Sequence, residues 1–328
     1  MKNSQPSFRF ARAITLVFAL LPVIFFVGIV LMLLWTSVPA VKDVGFNVLF
    51  STKFSNVFSG IYTPGEYGLM PALWGTILVT IVALLFAIPI SLSLAIIASD
   101  FSFGGIGRLI EAALAIFSGI PPIIYGLLSV FVVNMFIRPK FGGEGLTEEA
   151  IRALPGLPEY NAGMLPRELS TLLGAIFLCL LIIPFISPLM LDALRNVPAS
   201  LKEASLGLGA TKWYTLRRIS LPAALTGLIA AISLGSLKTI GDVVIVAWTI
   251  GYVKRGLPVP VVDIFERSAP LTSTGAGLLT GLSPGADVKG GLDYSVAFFA
   301  GLLLMVMAFG ILGLSNQVQK ILQKRFEQ

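Results

Sequence analysis

The sequence is poor in the residue types on which most metal and redox chemistry depends. Among 328 residues there is no histidine and one cysteine, Cys179. Histidine supplies most transition-metal ligands, haem ligands and proton relays, so nearly all sites of those kinds are excluded. A single cysteine also excludes an intrachain disulfide. We therefore expect neither a metal site nor a cofactor.

Charged residues are also scarce, at 12%, whereas 56% of the residues are hydrophobic. Soluble globular proteins carry about 25% charged residues, so a soluble enzyme of this length is excluded. Intrinsic disorder is excluded as well, because it requires low hydrophobicity. The net charge of +6 could indicate nucleic-acid binding, but the basic residues lie in short segments between apolar runs. That distribution is typical of a membrane protein, and we expect no nucleic-acid partner.

Long apolar runs predict an all-α polytopic membrane protein with about six transmembrane helices. About 20 apolar residues cross a bilayer as a helix, whereas barrel strands would be shorter and strictly alternating. The first run could be a signal peptide, but its apolar core exceeds the roughly 7–15 residues of that class. We therefore expect a retained helix with Trp35 at the membrane interface. The runs are 13–41, 67–99, 112–137, 169–191, 219–237 (resuming at 243–253) and 294–319.

Lysine and arginine predict the orientation of the spans. They are about twofold denser on one side of the membrane than on the other. The positive-inside rule places the denser side, and with it both termini, in the cytoplasm. The outside loops are long, and the loop at 138–168 is rich in glutamate. Such a loop either contacts a partner outside the membrane or forms a solvated cap, and the sequence leaves both interpretations open.

Residues 193–222 predict a helix–glycine–helix elbow on the cytoplasmic face. Ser200 and Glu203 have the spacing of a capping box, which predicts a short helix starting at Ser200. Gly207 and Gly209 would end that helix within about two turns.

The second arm of the elbow is predicted over 212–219. Thr211 would cap it, and Pro222 would fit the first turn of the following span. A protruding elbow suits docking onto a soluble partner. An ordinary connection between spans would show the same pattern, so on pattern alone that interpretation stays open.

Prolines interrupt two of the apolar runs. Pro121 and Pro122 remove backbone donors and predict a break in the third span, as Pro184 and Pro188 do in the fourth. The freed carbonyls need partners other than lipid, so interrupted helices usually line a protein interior or a cavity. Pro121 and Pro122 are therefore candidates for a kink or gate, with a static packing kink as the alternative.

Lys238 and Asp242 are charges inside the fifth apolar stretch. They are four residues apart, so in a helix they would share one face. A charge at mid-bilayer costs about 2.5–3.5 kcal/mol, and such groups usually face a bundle interior or an aqueous path. Along a helix, Lys238 lies about 24 Å from Pro222, beyond the midplane towards the outside. The pair is either a gate or anion contact in a translocation path, or a buried pair that fixes helix packing.

The stretch 203–222 resembles the EAA loop of ABC importer permeases. Glu-Ala-Ser stands where the family has Glu-Ala-Ala, a glycine follows after three residues, and Ile-x-Leu-Pro follows after nine more. In that family the loop is the coupling helix that docks into the ATP-binding subunit. The resemblance implies these coupling-loop residues: Glu203, Ala204, Gly209, Leu221 and Pro222.

Other stretches resemble the phosphate (Pst) permeases within that family. The glutamate-rich outside loop and a Leu-Thr-Ser-Thr stretch resemble the PstC type more than the PstA type. At 238–242 the family has Arg-Ala-x-Gly-Glu where this chain has Lys-Thr-Ile-Gly-Asp. Lysine is a point charge, whereas arginine offers two parallel donors to an oxyanion. This departure therefore leaves the identity of the anion open. The resembling stretches are 68–76, 118–127, 194–198, 208–213 and 271–274.

The resemblance implies the type I (MetI-like) ABC importer permease architecture in a single permease domain over 1–328. Its expected parts are an N-terminal helix and outside loop (1–66), a core (67–315) with the coupling loop 193–222, and a cytoplasmic tail (316–328). The implied setting is the inner membrane of a prokaryote. The imported anion would pass near Lys238.

The resemblance also implies a function and partners. An extracytoplasmic binding protein would deliver inorganic phosphate, which crosses by alternating access. Two ATP-binding cassette subunits and a second, paralogous permease subunit would complete the assembly. The chain itself is not expected to be an enzyme, because it has no Walker A loop. The alternatives are another oxyanion (molybdate, tungstate or sulfate) and an ion-coupled secondary transporter, for which Asp242 is the one clear intramembrane acid.

Overall fold

The fold is all-α, as expected. A computed structural model describes residues 6–52, 67–101, 105–132, 170–251, 261–264, 268–280 and 291–326. A π-helical turn, Leu216–Ser220, joins the eighth helix to the ninth. The helices in chain order are α1 (Pro6–Val44), α2 (Asn47–Phe50), α3 (Met70–Ser99), α4 (Ile106–Ser118), α5 (Pro122–Val132), α6 (Thr171–Arg195), α7 (Ala199–Gly207), α8 (Lys212–Thr215), α9 (Leu221–Gly241), α10 (Val244–Thr249), α11 (Leu271–Thr280) and α12 (Leu292–Phe326).

Five helical stretches in the described part of the chain are long and apolar enough to cross a membrane. They are α1, α3, α6, α12 and the continuous stretch from α8 through α9. Helices α4 and α5 make a sixth if that bent pair is one span. The expectation of about six spans is therefore confirmed as five or six.

Helix α6 lies at the centre of the bundle. In its most apolar stretch of 18 residues, 56% of the residues are buried, whereas none are buried in the corresponding stretch of α1. Helix α6 contacts α3, α4, α5, α9 and α10. Two glycines bring α9 close to it, because a Cβ at Gly227 would lie 2.7 Å from Ala193 Cβ and one at Gly235 would lie 2.6 Å from Ile186 Cγ2. Small residues at a helix interface let the two backbones approach closely.

Helix α12 organises a second core on the other side of the bundle. It contacts α1, α9 and α11. Its contact with α1 includes an edge-to-face pair of Phe26 and Phe309, whose ring centroids are 6.3 Å apart. Its contact with α9 includes the hydroxyls of Ser233 and Ser315, 2.7 Å apart and buried. The aromatic contact and the polar contact together fix α12 between the peripheral helix α1 and the central helices.

The prolines act differently in the two interrupted runs. At Pro121 and Pro122 the helix breaks, since α4 ends at Ser118, α5 begins at Pro122 and the two are bent by 90°. In α6 the predicted break at Pro184 and Pro188 is wrong, because the helix continues through both. Helix α6 is surrounded by five other helices, and neighbouring helices and polar side chains can compensate for the missing backbone bonds inside a bundle.

Candidate functional site

The first arm of the elbow is α7, and it begins one residue before the predicted start. Pro198 precedes the helix with φ −53° and ψ 128°, and no side chain caps it. The Pro198 carbonyl accepts a hydrogen bond from Leu201 N at 3.1 Å. The predicted capping box, with Ser200 as its first residue, is therefore wrong. Proline fixes its own φ angle, and the helix starts at Ala199 without help from a hydroxyl.

The turn of the elbow matches the sequence prediction closely. Helix α7 ends at Gly207, and Gly209 adopts a left-handed conformation with φ +86°. Glycine adopts that conformation without steric cost, whereas a side chain there would be strained. Thr211 then caps the second arm, because its hydroxyl accepts a hydrogen bond from Tyr214 N at 3.2 Å.

The second arm does not end before the next span, as the sequence suggested, but continues into it. Helix α8 passes through the π-helical turn into α9, and the Leu221 N–H bonds to the Leu216 carbonyl. Pro222 has no N–H for the usual helical bond, and a widened turn accommodates this. Leu221 is half-buried against the main core. Two of the predicted coupling-loop residues, Leu221 and Pro222, thus lie at the start of α9, where the loop joins the helix bundle.

The remaining coupling-loop residues lie on an exposed surface. Glu203, Ala204 and Gly209 are all exposed. Large apolar side chains are exposed beside them, and Leu208 at the turn has 90% of its surface accessible. Together we call these residues the elbow surface: Leu201, Glu203, Ala204, Leu206, Leu208, Gly209, Trp213 and Tyr214.

A hydrogen bond joins the two arms of the elbow. The hydroxyl of Ser205 in α7 lies 2.9 Å from that of Thr215 in α8, and both side chains are buried. Ser205 is the residue that departs from the Glu-Ala-Ala pattern. The hydroxyl therefore has a partner within the fold, which the sequence pattern did not reveal.

Asp242 does not share a helix face with Lys238, so that prediction is wrong. Helix α9 ends at Gly241, and Asp242 has an extended backbone with φ −77° and ψ 121°. Its Oδ1 accepts a hydrogen bond from Ile245 N at 2.8 Å, in the first turn of α10. A short carboxylate that follows a helix-ending glycine is well suited to cap the next helix.

Lys238 lies over an aromatic ring. Its Nζ is 4.9 Å from the centroid of the Phe185 ring in α6, and its side chain is half-buried. Lys238 forms no ion pair with any residue that the structure describes. A ring face attracts the ammonium but does not neutralise it. The sequence analysis did not single out Phe185, which is the aromatic residue that contacts Lys238.

Two of the stretches that resemble the Pst permeases meet in the fold. The Leu271 N–H at the start of α11 bonds to Thr76 Oγ1 in α3 at 2.9 Å. A Cβ at Gly75 would lie 1.9 Å from the Ser268 carbonyl oxygen, so only glycine fits there. These contacts give the two stretches a packing role. The outside loop at 138–168 lies outside the described residues.

Comparisons with known proteins agree with this geometry. A family model described as a binding-protein-dependent transport system inner membrane component matches residues 87–328. The phosphate transport system permease protein PstC of Haemophilus influenzae is 29% identical over 302 residues, covering 92% of this chain and 90% of that protein. A PstC of Xylella fastidiosa is 30% identical over 229 residues, covering 69% and 67%.

Solved structures match the fold at lower identity. A bacterial alginate ABC transporter, solved with an alginate-bound periplasmic protein, aligns with a TM-score of 0.60 at 18% identity over 96% of both chains. An inward-facing MetNI methionine ABC transporter aligns with a TM-score of 0.54 at 18% identity, over 77% of this chain and 95% of that one. These likenesses confirm the expected MetI-like architecture.

Proposed function

The chain belongs to the family of binding-protein-dependent transport system inner membrane components, and on that premise we propose that it forms part of the pore of an ATP-driven phosphate importer. As a member of that family it is a multi-pass membrane protein and an ABC permease subunit. Inorganic phosphate is favoured over molybdate, tungstate or sulfate because several relatives at 27–30% identity are named as phosphate permeases.

The elbow surface carries this proposal. Apolar side chains exposed on a polar, protruding loop are typical of an interaction site, and Leu208 at its tip is almost fully accessible. We assign this surface to an ATP-binding cassette subunit in the cytoplasm. Glu203 is exposed and forms no ion pair with any described residue, so it is available to a basic residue of that partner.

The other expected partners follow from the same assignment. With the elbow in the cytoplasm, both termini lie there too, and an extracytoplasmic binding protein delivers phosphate from the opposite side. A second, paralogous permease subunit completes the pore, and two ATP-binding cassette subunits supply the energy. No ATP site is assigned to this chain, because its sequence has no Walker A loop.

Lys238 is the proposed anion contact in the translocation path. Its charge is within the span region, forms no ion pair among the described residues and is held over Phe185. A charge kept at such cost is usually functional. In alternating access the elbow is displaced by the ATPases, the spans rock, and the bend at Pro121 and Pro122 between α4 and α5 is the candidate hinge.

Co-purification tests the docking assignment. A tagged chain extracted in detergent from cells expressing the complex is expected to bring down an ATP-binding cassette protein. Leu208→Asp and Glu203→Arg are expected to reduce the recovered ATPase about tenfold or more, since a buried interfacial charge is strongly unfavourable. Leu314→Ala, at an exposed position in α12, is the control for an apolar side chain away from the elbow. Equal recovery with both elbow variants would contradict the assignment.

Transport by the reconstituted complex tests the substrate. Proteoliposomes with ATP inside and binding protein outside are expected to accumulate phosphate, and molybdate, tungstate or sulfate in excess is expected to compete weakly. Uptake of one of those anions in preference to phosphate would replace the substrate assignment. Uptake driven by a proton or sodium gradient without ATP would indicate a secondary transporter instead.

A further inference from the structure

The side chain of Lys202 connects three parts of the chain. Lys202 lies in α7, the first arm of the elbow. Its Nζ donates a hydrogen bond to Asp100 Oδ1, just after the end of α3, at 2.8 Å, and another to the Leu194 carbonyl in the last turn of α6 at 3.3 Å. Both bonds come from a single ammonium, so one side chain ties α7 to the ends of α3 and α6.

This ion pair is sheltered, unlike the other described pair in the same region. The side chains of Lys202 and Asp100 are 21% and 19% exposed, whereas those of Arg195 and Glu111 are 46% and 40% exposed. Asp100 Oδ2 is also buried without a hydrogen-bond partner. Removing the ammonium would therefore leave a carboxylate largely desolvated and unpaired, which is far more costly than breaking an exposed pair.

The second arm of the elbow is attached at the same place. The ring of Trp213 lies 6.5 Å from that of Phe101, the residue next to Asp100. The Ser205–Thr215 hydrogen bond joins the two arms to each other. The elbow is thus braced internally and fixed to the end of α3 through both arms.

Neighbouring residues of α7 face opposite ways. Glu203 is exposed on the elbow surface, whereas Lys202 is directed at the ends of α3 and α6. Successive residues of a helix are about 100° apart around its axis. One residue can therefore face a partner while its neighbour in the sequence faces the bundle. Within α7, the docking side and the anchoring side are therefore separate.

We propose that Lys202 is the positioning residue that makes α3 and α6 follow the elbow when the ATPase moves it. Helix α6 carries Phe185, which lies beside Lys238, so the link runs from the elbow to the proposed anion contact. This inference rests on the proposed function. It assigns to Lys202 the transmission of movement, and to the elbow surface the binding of the ATPase.

The test is the ratio of phosphate transported to ATP hydrolysed in proteoliposomes. Lys202→Met is expected to lower that ratio about fivefold, because residues that link two sites typically contribute coupling of this size. The ATPase is expected to co-purify as with the unaltered chain, since Lys202 is not on the elbow surface. Lys202→Arg is expected to keep the ratio, because it retains the charge and the donors. Glu111→Gln, in the exposed pair, is the matched control and is expected to leave the ratio unchanged.

A double-mutant cycle separates transmission from general damage. Asp100→Asn alone is expected to lower the ratio, and adding Asp100→Asn to Lys202→Met is expected to lower it no further. If Lys202→Met does not assemble, Asp100→Asn and Lys202→Arg decide the question by the same expectations. An unchanged ratio in Lys202→Met or Asp100→Asn overturns the inference, even where Leu208→Asp abolishes docking. Docking that is indifferent to the elbow surface overturns the proposed function instead.

Discussion

Opposite charges are arranged differently at the elbow and at the end of α9. At the elbow, Lys202 and Asp100 are 102 residues apart in the sequence, yet their charged atoms meet at 2.8 Å. At the end of α9, Lys238 and Asp242 are four residues apart and form no ion pair. Asp242 caps α10 instead, and Lys238 lies over a ring. Spacing along the chain suggested a pair of Lys238 and Asp242, which the fold does not form. The pair of Lys202 and Asp100 could be seen only in the fold.

The difference indicates two uses of charge. A paired ammonium holds helices together, because each ion is the other's partner. An ammonium over a ring keeps most of its capacity to attract an anion, since the ring contributes only a quadrupole. Under the proposed function, the charge arrangement of the elbow suits a mechanical joint, and that around Lys238 suits an anion contact.

The most severe test of this contrast is Lys238→Gln. Loss of a charged contact to the anion is expected to reduce phosphate uptake at least about tenfold. Lys238→Arg is the control that keeps the charge and is expected to retain uptake. Initial uptake rates in proteoliposomes measure both variants, with co-purification of the ATPase as the check on assembly. Normal kinetics in Lys238→Gln would leave the residue with a packing role.

Phe185→Leu tests whether the ring positions the ammonium. Removing a partly desolvated cation–π contact is expected to raise KM for phosphate about fivefold, with little change in maximal rate. Phe185→Tyr keeps a ring face and is expected to behave as the unaltered chain does. The increase in KM should be absent when Phe185→Leu is combined with Lys238→Gln. An equal effect in that background would mean that the ring merely fills space.

Substitutions of Asp242 distinguish a role in capping α10 from a role of its charge in the path. Asparagine also caps helices, so Asp242→Asn is expected to preserve stability, whereas Asp242→Ala is expected to cost about 1 kcal/mol. Thermal unfolding of the purified complex in detergent compares the two. If Asp242→Asn abolishes uptake while its stability is normal, the carboxylate has a role in the path and the contrast with Lys238 weakens.

Glu111→Gln is expected to have the smallest effect. Exposed ion pairs contribute about 0.2–1 kcal/mol, so breaking the Arg195–Glu111 pair should change neither stability nor transport appreciably. Unfolding temperature and uptake rate are the measurements. A loss as large as that expected for Lys202→Met would show that exposure is not what distinguishes the two pairs.

Local chemistry predicted much of the elbow. Gly209 permits the left-handed backbone of the turn, and Thr211 supplies a hydroxyl for the next turn, so both features follow from neighbouring residues. The start at Ala199 was missed because Pro198 fixed the backbone without a cap. The paired prolines after Gly119 predicted a break for the same local reason. In contrast, the uninterrupted course of α6 through Pro184 and Pro188 depends on the helices packed around it.

Short-range features of the sequence are enough to predict the membrane-spanning class, about six spans and the position of the elbow. These depend on the length of apolar runs and on turn residues, which act over a few neighbouring positions. The tertiary structure alone decided that Lys202 meets Asp100, that Phe185 lies beneath Lys238 and that Ser205 meets Thr215. Those contacts join residues on different helices, and helix packing fixes their distances where chain spacing cannot.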